Sequence, residues 1–478
     1  MIKLKIGIVL LLLNVGYSSL AQTLLPKILT ADLQLEKGMR YLVEDSLWVP
    51  SAYRLSIPAG VQIELGEGAF LRVAGGFSAI GTVAEPIVFK AKHNSWKGLL
   101  FQSASELVQL QHCQVQDAKA SASFIAAFTA IDSEVHLEAI HFSNNRQCVY
   151  IEGSTMVRIL ACQFAADNSK EHLNIRASSD CLVEACDFRQ VNGGDAIDFD
   201  QVTNGTIANC WLEGGVDDGI DIGEQSLEIL LVGNQIFDLF ENGITVGEES
   251  EITATHNLIV GCAKAVEAKD GGRVIATNNT FDQNDYAFAG FNFLGNAGGG
   301  TVMVRNTIVS NNRKALIQGE DLNLEINYSL SNSDFLPGST NLFADPKYID
   351  SASRDYNLQV ISPCIDQGDP TSMLDPDLSR NDIGAFPADQ QNLPIFAQNF
   401  PNPFDQQTII TYELTEAQQV RLIIYDGQGR QLAVLVDSPQ RAGKHRYHWL
   451  TEKMAAGIYF YELRIENVRK YLGKAIKL

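Results

Sequence analysis

Short runs of alternating apolar and polar residues return along this chain on a nearly fixed beat. Seven stretches carry the same pattern: CVYIE from Cys148, HLNIR from His172, AIDFD from Ala196, GIDIG from Gly219, GITVG from Gly243, AVEAK from Ala265 and AFAGF from Ala287. Their starts lie 22 to 24 residues apart. Places two and four are apolar in pass after pass, as Val149/Ile151, Leu173/Ile175, Ile197/Phe199, Ile220/Ile222 and Ile244/Val246, and place three is polar in nearly all of them. Period-two alternation predicts one short strand per pass. A second strand follows, as in GTIANCWL and LEILLVGNQIF. No pass holds an amphipathic run of helical length, which excludes an α-solenoid. Strands this short cannot bury a face alone, so the passes must stack as coils around a shared interior. Equivalent residues then form ladders at the ~4.8 Å spacing of neighbouring strands. One ladder runs through Cys162, Cys186 and Cys210 and continues as Asn234, Asn257 and Asn279. A position filled by Cys and then by Asn predicts stacking inside a repeat. The eight cysteines are therefore expected to be mostly free, buried thiols.

The first and last coils carry a family resemblance. LSIPAGVQIELGEGAFLRVAGGFSAIGTVAEPIVFKAKHNSWKGLLF (Leu55 to Phe101) resembles the opening coils of right-handed parallel β-helix proteins of bacterial surfaces. SPCIDQGDPTSMLDPDLSRNDIGAF (Ser362 to Phe386) resembles the segment that often ends such helices. The resemblance implies an all-β fold, a right-handed parallel β-helix over residues 28–388. The same fold hosts lyases, hydrolases and adhesins, so it does not fix an activity.

After a polar junction, PADQQNLP from Pro387, the pattern changes to that of longer antiparallel strands, and DGQGR (Asp426 to Arg430) reads as a hairpin turn. A small antiparallel β-sandwich of about seven strands is expected over residues 396–478. The runs NFPNPF from Asn399, YDGQGRQL, GIYFYEL and the terminal KAIKL resemble the C-terminal sorting domain of type IX secretion substrates. That resemblance implies passage across an outer membrane, with the secretion machinery as a partner of this domain. The chain is then released or held at the cell surface. His445 and His448 lie three apart on a predicted strand and so face opposite ways, which argues against a metal pair.

The other end of the chain agrees with export. Lys3 and Lys5 precede an apolar run from Ile6 to Leu13, and Ser19 and Ala21 occupy the small-residue places of a cleavage site. Residues 1–21 read as a signal peptide. The run is too short to span a bilayer, and no later segment is long enough. The chain holds 36 basic and 57 acidic residues, a net charge of −21. So acidic a chain lacks the basic surface that a nucleic-acid partner requires.

The acids are not spread evenly. Place three of the repeat stacks Tyr150, Asn174, Asp198, Asp221, Thr245 and Glu267, and faces outward. The residue before each strand stacks Gln147, Glu171, Asp195, Asp218, Asn242 and Lys264, and place five adds Glu152, Arg176, Asp200 and Lys269. Asp217, Glu224 and Glu248 lie close by in sequence. Like charges one coil apart repel, so something must offset them. A hard cation is one answer: Ca²⁺ held by Asp195, Asp198, Asp200, Asp217, Asp218, Asp221 and Glu224. A carboxyl kept protonated for acid catalysis is a second. Partial neutralisation by Arg176, Lys264 and Lys269 is the third.

The catalytic candidates are Asp198, Asp221, Glu267, Lys264 and Lys269. Asp198 and Asp221 stand one coil apart, near the ~5 Å of retaining glycosidases, and Asp221 and Glu267 two coils apart, near the ~6.5–9.5 Å of inverting ones. The run faintly resembles the acidic clusters of polygalacturonase-type hydrolases, but ENGITVG stands where that family has a histidine strand. Polar and aromatic groups for a sugar chain are Tyr150, Asn174, Arg176, Trp211, Asn242, Thr245 and Tyr286, with Phe291 and Phe293 beyond them. Phe288 and Trp96 are expected in the core. A phosphate-binding glycine loop, a zinc-ligand spacing and a nucleophile elbow are all missing. The reading is an exported or surface protein that binds polysaccharide on this acidic face, with cleavage there as an open extension. The alternative is a non-catalytic adhesin or structural protein with a calcium-bound or hydrated acidic stripe.

Overall fold

The computed structural model describes residues 22–119, 125–165, 170–295, 298–319, 321–376, 379–388, 397–414, 417–451, 454–465 and 468–478. The signal peptide expected over 1–21 and most of the junction after Pro387 lie outside them. Three long parallel sheets of 15, 12 and 13 strands wind from Thr23 to Phe343 as a right-handed β-solenoid. Each coil contributes one strand to each sheet in turn. Among the described residues no helix is long and apolar enough to cross a membrane.

The repeat beat sets the register without a slip. Val149, Leu173, Ile197, Ile220, Ile244, Val266 and Phe288 are partners in succession in the 12-stranded sheet, one coil apart. They point inward and are shielded from solvent. Phe142, Phe164 and Phe188 stack inside at ring-centroid separations of 5.2 and 4.4 Å. Trp96 and Phe288 are in the core, as their places in the repeat predict.

The corner between the 13- and 15-stranded sheets explains the Cys-then-Asn ladder. It is two residues long, and its first residue adopts a left-handed conformation in coil after coil: Ala161, Ala185, Asn209, Gly233, His256 and Asn278 have φ between 51° and 65°. The second residue is the ladder position. There the Oδ1 atoms of Asn234, Asn257 and Asn279 accept from the backbone N–H of Cys210, Asn234 and Asn257, at 3.0, 3.0 and 2.9 Å. Each Nδ2 donates to a core carbonyl, of Ile207, Leu231 and Ala254. Every polar group at a tight, buried corner is thus satisfied by the coil above or below, which offsets the cost of the left-handed residue. In the earlier coils the thiols of Cys162, Cys186 and Cys210 fill the same space. All eight cysteines are buried and free.

Beyond the solenoid, Tyr348–Asp350 and Asp355–Leu358 form a two-stranded antiparallel sheet. The C-terminal segment comprises two antiparallel sheets of three and four strands. They share a core that includes Ile410, Leu422, Ile424, Trp449 and Leu463. The DGQGR hairpin turn forms, with Asp426 N–H donating to the Arg430 carbonyl. Of its two glycines only Gly429 needs positive φ, at 79°. His445 pairs with Tyr412 and His448 with Ile409, on opposite faces of their strand.

Candidate functional site

The acidic ladder lies on the outward face of the 12-stranded sheet. Tyr150, Asn174, Asp198, Asp221, Thr245 and Glu267 are register partners in that order, and Glu152, Arg176, Asp200 and Gly223 run beside them. Repeat spacing alone brings acids up to 69 residues apart in sequence into one row. Their roles in that row differ.

The inner members are structural in geometry. Asp195 Oδ1 accepts from the Asp218 backbone N–H at 3.1 Å, and Asp218 Oδ1 accepts from that of Asn242 at 2.9 Å. Thr245 Oγ1 donates to Asp218 Oδ2 at 2.6 Å, and Asn242 Nδ2 donates to Thr245 Oγ1 at 3.0 Å and to Glu267 Oε2 at 3.2 Å. Lys264 Nζ closes an ion pair on Glu267 and lies over the Phe291 ring, 5.4 Å from its centroid. Asn242, Thr245 and Glu267 are buried, so the sheet face does not offer them to a sugar chain. Two coils from Asp221, Glu267 is closed off by its own partners, leaving Asp198 as the neighbour of Asp221.

The outer members are half-buried, except Asn174, which is buried. Asn174 donates to Asp198 Oδ2. Arg176 reaches Asp200 at 3.1 Å and also pairs with Glu224. Tyr150 Oη donates to Glu152 at 2.9 Å. Among the described residues none donates a hydrogen bond to Asp221. Lys269 lies along Gly247, whose missing Cβ would sit 3.0 Å from two carbons of the lysine chain. That path brings its charge to the Asp221 side of the row, and Asp221 is the largest cause holding the Lys269 ammonium above its usual pKa against burial.

The electrostatics follow from crowding under partial cover. Burial, then Asp221 and the other nearby acids, push Asp195 up to about 9. Burial, then Asp200 and Asp221, raise Asp198 to about 8 against the hydrogen bond from Asn174. Burial raises Asp221 to about 7, with Lys269 pulling the other way. Asp218 and Asp200 reach about 6, each restrained by its donors. Near pH 7 this row therefore holds some of its carboxyls protonated and some ionised.

Carboxylate oxygens of Asp195, Asp217 and Asp218 lie within 4.8 Å of one another, a spacing that suits one hard cation. Asp217 is exposed, while both Asp218 oxygens already accept hydrogen bonds. The remaining acids expected to ligate, Asp198, Asp200, Asp221 and Glu224, are not in that group.

Trp211 stands apart from the row. It belongs to the 15-stranded sheet, where it stacks on Phe237 at 4.7 Å and donates to Glu213 at 3.1 Å. Tyr286 is the register partner of Lys264 and carries Lys314 over its ring at 5.5 Å. Phe291 and Phe293 stack at 5.2 Å. Two residues carry no signal in the strand periodicity. His172 is buried against Phe164 and Phe188, and burial lowers it to about 4. Phe240, two places ahead of Asn242, is 76% exposed. An aromatic in the turn DLFENG, where other coils carry small residues, was the available signal.

Residues 125–284 match the family model of the right-handed β-helix region, and residues 398–477 match that of the secretion-system C-terminal sorting domain. Solved structures similar to this chain include a periplasmic alginate epimerase, at 12% identity and a TM-score of 0.33 over 62% of this chain and 77% of that one. An alginate lyase from Paenibacillus sp. str. FPU-7 is 15% identical, with a TM-score of 0.27 over 55% and 93%. Tailspike protein 2 of an Escherichia coli O157:H7 bacteriophage is 9% identical, with a TM-score of 0.29 over 91% and 64%. Scores this low carry no argument about activity. No curated protein matches the chain. The chain is a right-handed β-helix repeat protein with a sorting domain for export to the cell surface or the medium.

Proposed function

We propose that this exported β-helix protein, delivered by type IX secretion, binds polysaccharide along the outward face of its 12-stranded sheet and cleaves it between Asp198 and Asp221. One observation carries the reading. Two half-buried carboxyls stand in register on adjacent strands, and neighbouring strands are ~4.8 Å apart. Asp198 is held up to about 8 and Asp221 to about 7. A pair so placed divides the labour of acid–base chemistry: the carboxyl that keeps its proton donates it to the leaving glycosidic oxygen, and the ionised partner faces the anomeric centre or the proton to be removed. Asn174 orients Asp198. Lys269 supplies a positive charge beside Asp221. A metal-free retaining hydrolase and a lyase both fit this pair.

The test is a screen of purified protein on neutral and uronate polysaccharides, with and without EDTA. New reducing ends without ultraviolet absorbance mean hydrolysis. New ends that absorb in the ultraviolet mean a lyase. No product from any polymer rejects cleavage.

The second reading rests on the Asp195, Asp217 and Asp218 group. A calcium ion there would cement three crowded acids in a scaffold or adhesin. Millimolar Ca²⁺ then raises the melting temperature by mass action and EDTA reverses the gain. Melting that ignores both rejects the ion.

A further inference from the structure

The solenoid carries an elongated cleft of about 730 Å³ on the corner that leads from the 15-stranded into the 12-stranded sheet. It crosses successive coils through Gly215 and Val216, then Phe240, then Gly261, then Asp285 and Arg313. This volume lies in the range of ordinary ligand sites, ~300–1,000 Å³. The cleft opens beside the acidic row: Val216 and Phe240 sit two residues ahead of Asp218 and Asn242 in their coils. The Phe240 N–H donates to the Gly215 carbonyl at 2.9 Å, which fixes the aromatic turn against the coil below.

Phe240 is 76% exposed and Val216 50% exposed, so the two form an apolar strip that nothing in the described coils covers. Across the cleft Arg313 is held, its Nε 2.7 Å from Asp285 and its Nη2 donating to the Gly261 carbonyl at 3.5 Å. Its Nη1 makes no hydrogen bond among the described residues. A phenyl ring and an anchored guanidinium lining one cleft suit a sugar ring, whose C–H face stacks on an aromatic while its hydroxyls accept from a rigid donor fork. Charge selects the class of sugar. Asp285 is shared by Arg313 and Lys314, Asp238 also lines the cleft, and Asp217 and Glu241 adjoin Val216 and Phe240 in sequence, so four acids stand against two bases and a uronate would meet excess negative charge.

We infer that this cleft is a subsite for a neutral sugar unit of the polysaccharide bound at the acidic row, with Phe240 as its stacking platform and Arg313 as its hydroxyl donor. The inference rests on the polysaccharide reading given above, and its failure is separable from that one. The experiment is native electrophoresis of the full-length mature protein through gels containing mannan, xylan, alginate or polygalacturonate. Wild type should be retarded by a neutral glycan. Phe240→Ala should bind it roughly tenfold more weakly, the loss expected for one stacking contact. Phe240→Tyr, which keeps a ring, should bind as wild type, and the melting temperatures of all three should agree because the ring is mostly exposed. Equal retardation of wild type and Phe240→Ala overturns the subsite and leaves the polysaccharide reading standing. Retardation by the two uronate polymers alone overturns the neutral assignment. Passage of the wild type through all four gels without retardation overturns both.

Discussion

Two ladders run up this solenoid, one of amides and one of acids, and they use the same geometry to different ends. At the Asn234–Asn257–Asn279 corner each side chain accepts from the preceding coil's backbone and donates to a core carbonyl. At the Asp195–Asp218–Asn242 corner the acceptor half of that arrangement recurs, with Asp195 and Asp218 each capping a backbone N–H one coil on. A carboxylate has no donor to give, and it brings a charge that burial penalises. An amide would make the same cap at Asp195 at less cost, while at Asp218 the second oxygen also takes the Thr245 hydroxyl. The fold gives Asp218 a structural role but does not explain why Asp198 and Asp221 stand beside it on the open side. What distinguishes the two ladders is chemistry, and the acidic one is where a proton can be held or released.

The comparison breaks most visibly if the amide ladder proves dispensable. Asn257→Ala removes both the cap on Asn234 and the bond to the Leu231 carbonyl, leaving buried groups unpaired. It should cost about 3 kcal/mol or more in a urea melt without altering sugar binding. A loss under about 1 kcal/mol would show that the corner does not depend on its amides.

A smaller effect sharpens the acidic side. In an unfolded chain aspartates release their protons near pH 4. Folded, Asp221, Asp198 and Asp195 hold theirs up to about 7, 8 and 9. Between those limits the folded protein binds more protons than the unfolded one. Their contribution to stability is therefore complete below about pH 4 and is lost as the pH rises toward 9. Melting temperature should fall between pH 5 and pH 9, and an Asp198→Asn, Asp221→Asn double variant should flatten that slope. A melting temperature that is level across the range contradicts the crowding.

Much of this was legible in the sequence because the solenoid is nearly one-dimensional. Once CVYIE, HLNIR, AIDFD and their successors are aligned, register follows, and with it the row that joins Asp198 to Asp221. Which way a residue faces could be read from its place. What covers it could not. Glu267 has an outward place yet is buried, because Lys264 folds onto it and Phe291 lies over the lysine. Thr245 is outward too and is consumed by Asp218. Trp211 has the right chemistry for a sugar ring, but its position in the coil assigns it to another sheet. The exposure of Phe240 is not legible in the same way, because it lies in a turn, where strand periodicity says nothing. The smallest expected effect follows: Trp211→Ala should leave turnover within about twofold of wild type, since aromatic stacking reaches only the groups it touches. A larger loss would extend the site onto the 15-stranded sheet.

The central claim, that Asp198 and Asp221 are kept for chemistry and not for folding, is tested most directly by Asp221→Asn, with turnover on the responsive polysaccharide and melting temperature measured on the same preparation at pH 8. The account predicts turnover down by about a hundredfold or more with melting unchanged or higher, because a crowded charge has been removed from a place where nothing donates to it. Turnover retained, or melting lowered as for Asn257→Ala, would contradict it.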